Sequence, residues 1–468
     1  MAGGRAKPHA ILHRDLRGEG SVEMRIVFIR PSLDGTPSRD AMAPLAFAIL
    51  QALTPPGVRT ALFDERIESI PLDTPADLVA MSVETYTARR SYQIAAHFRR
   101  RGVPVVMGGH HPSLLPEEAL EHADAVVIGD AEGLWPRVLD DAARGTLQRV
   151  YRQDAPPPFT GLMPDRSIFR GKRYAGLTLV QSGRGCRFHC EFCSVHAFYG
   201  KTLRQRPADE VVEDLRRAGG RDVFFVDDNL FYDVDSAVRL FEAITTLRLR
   251  WSCQISLDIV SDPAMVRLMA RSGCTIALIG LESLAAENLR QMGKGWSRRL
   301  GDPGEAIRGL QTAGIMVYGT FVFGYDGDKP SSFDETVKFA LEHRLFLANF
   351  NPLTPTPGAA LFDRLRREDR LLHEHWWLDP DYRYGQACFS PRGMTAGELA
   401  AGCYRARSRF YSGGSIASRL AGSPTLLGSP RRTALYLATN LISRREVHRK
   451  QGQKLGAAVP AGMAGAPA

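Results

Sequence analysis

The sequence predicts an α/β protein: a Rossmann-like doubly wound domain, then a partial (β/α)6 barrel, then a helical C-terminal extension. Three observations carry this reading. Apolar runs of strand length alternate with stretches of helical spacing from Met24 onward. The alternation is broken once, by the Pro-rich segment "YRQDAPPPFTGLMPDRS". And 468 residues exceed what one hydrophobic core organises.

The elements follow in order. Residues 1–23 read as a disordered extension without the continuous apolar core of a signal peptide. Within 24–145, "MRIVFIR", "RTALFD", "DLVAMSV", "VPVVMGG" and "AVVIGD" read as buried parallel strands joined by helices. Residues 146–172 form the linker. In 173–364, six more strand candidates, "LTLVQSG", "DVFFVDDN", "WSCQISLD", "TIALIGLES", "MVYGTFVFG" and "LANFNPLTP", suggest a parallel barrel open on one side. Residues 365–450 turn helical and aromatic, and 451–468 read as a disordered Gly/Ala/Pro-rich tail.

Bulk properties narrow the function. The net charge of +9 gathers late, in "YRARSRFYS", "SPRRTALY" and "SRREVHRK". That fits a solvated basic face or a peripheral contact with anionic membrane, and no aromatic RNA-binding signature accompanies it, so nucleic acid is set aside. Seven cysteines, an odd number with no export signal, argue against a disulfide framework and for a reducing cytoplasm. Cys253, Cys274, Cys388 and Cys403 lie among apolar neighbours as small buried hydrophobes.

The other three cysteines carry chemistry. "GRGCRFHCEFCSVHAFYG" places Cys186, Cys190 and Cys193 in a C-x3-C-x2-C spacing, just after the first barrel strand. Structural zinc would want a fourth ligand, and His189 or His196 inside so short a loop would be strained. A [4Fe–4S] cluster held by three thiolates instead leaves one iron without a protein ligand. The loop resembles the motif of the radical S-adenosylmethionine (SAM) superfamily. That resemblance implies that SAM takes the vacant iron and is cleaved to a radical that removes a hydrogen atom from an unactivated carbon. It also implies SAM contacts at strand ends: Asp227, Asp228 and Asn229 in "FFVDDN", Glu282 and Ser283 in "IGLES", and Gly319 and Gly324 in "YGTFVFG". "FFVDDN" departs from the family's usual Gly-Gly-Glu. Each of these residues could instead be a polar strand end that caps the next helix. By parity, Ser252, Gln254, Ser256 and Asp258 share one face of "WSCQISLD", which makes Gln254 and Asp258 candidates for the substrate cavity.

In the first domain, Gly108, Gly109 and Gly129 follow strands, so tight turns would crowd the ligand-binding edge of the sheet. No G-x-G-x-x-G opens a helix there, which disfavours a dinucleotide. The run "GGHHP…PEEAL…ADAVVIGDAE" is similar to the cobalamin-binding domain of B12-dependent radical SAM enzymes. "LTPTPGAALFDRLRRE…HWW", "FSPRGMTAGELAAG" and "RFYSGGS" look like the C-terminal extension of one large branch, and together the resemblances span residues 24 to 420. The D-x-H-x-x-G motif that supplies a histidine to cobalt is absent. Gly108, Gly109, His111 and Gly129 are the expected cobalamin contacts, with a structural hydrogen bond the favoured role for His111 over cobalt ligation.

The resemblance implies a cobalamin-dependent methyltransferase acting on a small-molecule or lipid-like substrate. The alternatives are a rearrangement, cyclisation or ring contraction without methyl transfer, or a non-catalytic cobalamin sensor. Electrons would come from a flavodoxin- or ferredoxin-type partner. No acid–base catalytic residue can be assigned. Trp376, Trp377, Tyr382 and Tyr384 could shape an apolar pocket or form an aromatic cap on the barrel.

Overall fold

Strand β1 (Arg25–Arg30) buries four consecutive residues, so both of its faces are covered, as in a sheet flanked by helices on each side. The computed structural model describes residues 24–457 apart from 39 and 232. The N-terminal extension and the stretch 458–468 lie outside the described residues. β2 (Arg59–Asp64), β3 (Leu78–Ser82), β4 (Val105–Gly108) and β5 (Ala125–Val127) join β1 in a parallel sheet of order β2-β1-β3-β4-β5. Order reverses between β1 and β3, and ligands of open α/β sheets bind outside the carboxyl ends at such a point. A sixth strand, β6 (Val150–Tyr151), pairs with β5. It lies in the segment read as linker and is too short for its periodicity to show. Tyr151 anchors it, buried and donating its hydroxyl to Asp141 (2.9 Å).

The second sheet runs in chain order. β7 (Thr178–Val180), β10 (Asp222–Phe225), β11 (Arg250–Ile255), β12 (Cys274–Glu282), β13 (Met316–Phe323) and β14 (Leu347–Pro352) are all parallel, with β7 and β14 as unpaired edges. This is the barrel open on one side. Between β7 and β10, a short antiparallel ribbon of β8 (Gly183–Arg184) and β9 (Arg204–Gln205) closes the cysteine loop. The connecting helices end by ordinary rules. Ala208–Ala218 has Asp209 and Glu210 in its first turn, Arg216 and Arg217 in its last, and stops at left-handed Gly219.

The C-terminal extension binds the lobes together. Trp376, Trp377 and Tyr382 are buried in one apolar cluster with Val27, Ile29 and Val79 of the first sheet. They pack at the seam with the first sheet rather than in a ligand pocket or as a cap on the barrel, while Tyr384 lines a cavity. Their indole N–H groups explain the placement. Trp376 donates to the Pro355 carbonyl (2.9 Å) and Trp377 to Glu118 (3.0 Å). The tail departs from expectation too. Leu455 is buried, Gly456 N–H donates to the Leu33 carbonyl (2.9 Å), and Ala457 N–H to Gln93 (3.0 Å), so 451–457 is packed chain. Among the described residues no helix is long and apolar enough to cross a membrane.

Glu118 is the polar centre of this seam, also accepting from Tyr92 (2.7 Å) and meeting His111 Nε2 at 3.0 Å. Burial alone would raise its carboxyl, but the His111 contact, with Tyr92 and Trp377, holds it down to about 2 from 4.5. A carboxyl depressed on folding contributes stability that is present above its unfolded pKa and lost as pH falls towards the folded value. We expect Glu118→Gln to cost about 1–3 kcal/mol at neutral pH. In urea titrations that deficit should narrow as pH drops from 4.5 towards about 2, whereas a deficit independent of pH would mean the charge carries nothing.

Candidate active site

The cysteine loop is tied down on both sides. At its base, the Ser182 N–H and hydroxyl donate to Asp227 (3.0 and 2.6 Å), and Gly185 N–H donates to Asp228 (2.9 Å). Gly185 has φ +90°, and a Cβ there would lie 2.3 Å from the Thr202 carbonyl, so the turn needs glycine. Asn229 Nδ2 donates to Ser256 Oγ (3.1 Å) and stands 3.9 Å from Cys186 Sγ. Burial lifts Asp227 to about 6 against the pull of Ser182 and Gly183, and lifts Asp228 as well. The three residues expected to contact SAM therefore hold the cysteine loop, and neither aspartate caps a helix.

On its far side, the loop leans on two segments. Glu191 N–H donates to the Met292 carbonyl (3.2 Å), Leu361 N–H to the Glu191 carbonyl (2.9 Å), and Arg364 pairs with the Glu191 carboxylate (2.8 Å). Phe188 stacks on Trp296, ring centroids 4.1 Å apart. Arg187 pairs with Asp258. Cys186, Cys190 and Cys193 are free thiols, and among the described residues no three metal-ligating side chains are drawn into a ready-made site. Burial raises Cys190 to about 12, opposed by Lys294. Three thiols on one anchored loop, with a cation beside them, match the donor set of a cluster with one open iron.

Lys294 was not singled out by the sequence reading. It is buried, donating to Glu282 Oε1 (2.8 Å) and the Gly280 carbonyl (2.7 Å). Glu282 ends β12 at φ +64°, after a register shift, a conformation costly for a side-chain-bearing residue. Gly280 is bare because a Cβ would stand 2.2 Å from Glu282 Oε1. The signal available was Lys294 between Gly293 and Gly295 in "MGKGW". Ser283 accepts from Ala285 N–H (3.2 Å) and Asn288 Nδ2 (3.2 Å), the local capping role weighed for it.

Gly319 and Gly324, two of the expected SAM contacts, are close-packed against apolar side chains. A Cβ on Gly319 would lie 2.7 Å from Leu345 Cδ1 and 3.2 Å from Leu281 Cδ1, so this glycine faces the apolar layer beneath the helices. One on Gly324, at φ +118°, would lie 2.8 Å from the Phe389 ring and 2.9 Å from Leu399, beneath the C-terminal extension. Parity on β11 holds for Gln254, which is exposed between buried Cys253 and Ile255. It fails for Asp258, because β11 stops at Ile255 and a helical turn, Leu257–Val260, begins.

At the edge of the first sheet a cavity of about 340 Å³ draws its walls from both lobes. Gly108, Gly109, His110 and Gly129 face Gln181, Arg184, Phe198 and Tyr199 across it. Gly129, at φ +81°, has open space where a side chain would go. Gly109 is a turn glycine, since a Cβ would meet the Val83 carbonyl at 2.8 Å. His111 is not on this cavity. It is fully buried between Thr85 and Glu118, in the structural hydrogen-bonding role favoured for it rather than among the cobalamin contacts. Its neighbour His110 lines the cavity, packs on Phe198 (4.4 Å) and has its pKa lowered by burial, which keeps the imidazole neutral near pH 7.

The packing role of the glycines is testable. Gly319→Ala and Gly324→Ala should each lower stability by about 1–3 kcal/mol in thermal melts of the chain without cofactors. Unchanged melting would return them to a ligand role.

The comparisons with known proteins converge on this architecture. Residues 180–340 match the Radical SAM superfamily and 49–139 the B12 binding domain. The chain is 31% identical over 394 residues to bacteriochlorophyllide d C-12(1)-methyltransferase of Chlorobaculum tepidum, covering 81% of this chain and 85% of that one. It is 23% identical over 374 residues to the anaerobic magnesium-protoporphyrin IX monomethyl ester cyclase of Cereibacter sphaeroides, covering 72% and 60%. The radical SAM methyltransferase TsrM of Kitasatospora setae, solved with cobalamin and a [4Fe-4S] cluster bound, shares the fold. Its TM-score is 0.61 at 16% identity, over 92% of this chain and 99% of that one. With the cysteine loop and the two-walled cavity in place, the chain belongs to the radical SAM superfamily, among its B12-binding enzymes of the cobalamin-dependent methyltransferase kind.

Proposed function

We propose that this enzyme moves a methyl group from SAM to an unactivated carbon of an apolar, polycyclic or lipid-like small molecule. One observation carries the reading: the cavity at the sheet edge is closed by residues of the cysteine loop, so a ligand held there faces the barrel mouth. When bound, the cluster, SAM and cobalamin would supply an electron, a carbon-centred radical and a methyl carrier. Cys186, Cys190 and Cys193 would hold the cluster, with Asn229 and Lys294 beside the thiols. Gly108, Gly129 and His110 would border the corrin. The substrates for which the two relatives are named, a bacteriochlorophyllide and a magnesium-protoporphyrin ester, support a tetrapyrrole-like polycycle. A flavodoxin- or ferredoxin-type donor in the cytoplasm would provide the electron. A weak membrane contact also belongs to the proposal, since Leu427, Leu435 and Leu441 are exposed near Arg431 and Arg445. Sedimentation with anionic vesicles at low salt, weakened at high salt, tests it; no binding at either sinks it.

The deciding experiment is anaerobic. The chain is reconstituted with iron, sulfide, cobalamin and a reductant, and given SAM with a deuterated methyl group. Label in the corrin fraction supports methyl transfer. An unlabelled corrin with 5′-deoxyadenosine still formed moves the assignment to a cyclisation or rearrangement. The two adjacent histidines should separate cleanly. His110→Ala should lower cobalamin retained on gel filtration with little change in melting, while His111→Ala should cost about 1–3 kcal/mol of stability. The reverse pattern would reverse their roles.

A further inference from the structure

The hollow of the barrel is a second cavity, of about 580 Å³, within the range of small-molecule sites. Its walls are apolar strand residues such as Phe224, Leu278 and Tyr318, together with the helix Pro430–Lys450. A cleft of about 260 Å³ continues from it towards the lobe seam and reaches Phe192, between Cys190 and Cys193. Asn351, Tyr384 and Arg407 line both spaces, so Arg407 stands where the hollow meets the path to the cysteine loop.

The charges on the wall, two acids and two bases, do not pair evenly. Asp40, Arg407, Glu446 and Lys450 are the charged residues lining the hollow. Lys450 pairs with Asp40 (3.4 Å) and Glu446 (3.2 Å), and Arg449 also meets Glu446 (2.7 Å). Arg407 is 7% exposed and has no carboxylate partner among the described residues. Its Nε donates to the Cys403 carbonyl (3.3 Å) and Nη2 to Gln451 (2.9 Å), while Nη1 has no acceptor among the described residues. A guanidinium does not shed its proton, so burying one without a counter-charge is costly. Arg419 shows what a self-sufficient buried arginine looks like here. It donates to the carbonyls of Leu345, Phe346 and Phe410 and to Asn440, and lies 3.8 Å over the Phe410 ring.

We infer that Arg407 binds the carboxylate of an apolar substrate seated in the barrel hollow. A monoanion matches a single unpaired cation, and apolar walls suit the remainder of the molecule. A phosphate dianion would leave a charge over. The inference rests on the proposed methyl-transfer reading only for what then happens to the ligand.

The test is binding to the reconstituted full-length enzyme. Two fluorescent acids serve as probes, each compared with its methyl ester: pyropheophorbide a, a planar polycycle, and cis-parinaric acid, an acyl chain. We expect each acid that fits to bind about ten- to a hundredfold tighter than its ester. Whichever binds tighter identifies the body of the substrate. Arg407→Met should erase the preference for acid while leaving ester affinity unchanged, and Arg407→Lys should restore part of it. Cobalamin and iron content report that each variant is folded. No binding of either acid to the wild type, or equal weakening of acid and ester in Arg407→Met, overturns the proposal. Neither readout needs turnover. An enzyme that prefers acid over ester yet never labels its corrin keeps the carboxylate site and loses the transferase reading.

Discussion

Arg184 is the residue on which the arrangement of the two lobes turns. It sits on the ribbon at the base of the cysteine loop, 7% exposed, with Asp130 at 2.8 Å, Glu132 at 2.5 Å and the Phe159 ring 4.3 Å beneath it. Both carboxylates come from the loop after β5 of the first domain. Burial works against its charge, but the two acids outweigh that and hold the guanidinium fully protonated. Such a group is expensive to strip of one partner, by about 3–5 kcal/mol, although forming it gains little net stability. Its value is positional: it fixes the cysteine loop against the sheet edge, where Gly129 and His110 border the shared cavity.

Everything near the loop is arranged to keep it there. Asp227 and Asp228 fasten its entry, and Glu191, gripped by Arg364, fastens its middle to the start of the C-terminal extension. That extension is anchored in turn by Trp376 and Trp377, each worth about 3–5 kcal/mol if truncated to alanine. A chain of contacts therefore runs from the first sheet through the seam to the cysteines. This explains why so much polar side chain near the site is spent on scaffold. A loop that must present three thiols in one geometry cannot be left to its own short hydrogen-bonded turns.

The layout was legible in sequence wherever a signal was local. C-x3-C-x2-C is contiguous, and strand runs such as "IVFI" in β1 and "FVF" in β13 announce themselves by composition. Parity on β11 describes the strand as far as Gln254, which is exposed between buried Cys253 and Ile255, and does not reach Asp258, because nothing in "WSCQISLD" shows that the strand ends at Ile255. Gly319 shows a different failure. A glycine on a strand can open backbone to a ligand or make room for a neighbour, and only the tertiary contact with Leu345 decides. His110 and His111 are adjacent, yet one faces a cavity and the other a carboxylate, a difference set by the turn at Gly109. Lys294 and Glu282 are twelve residues apart around a loop, so their pairing was invisible.

Satisfaction, rather than burial, separates scaffold from site among the polar residues of this enzyme. Asp227, Arg184 and Arg419 are buried and Glu118 is partly so, and the partners that occupy them are part of the chain. In "YRARSRF", Arg407 reads as one more solvated helical cation, and the fold instead turns it inward beside a hollow whose two acids are already paired with Lys450 and Arg449. A completed hydrogen-bond set makes a buried arginine a piece of architecture. Donor capacity left over at a cavity wall makes it a specificity element, because a ligand carrying the complementary charge gains what water and protein do not supply there. The same criterion accounts for His111 and His110: the first has both ring nitrogens engaged inside the protein, and the second keeps a neutral imidazole at the wall of the shared cavity.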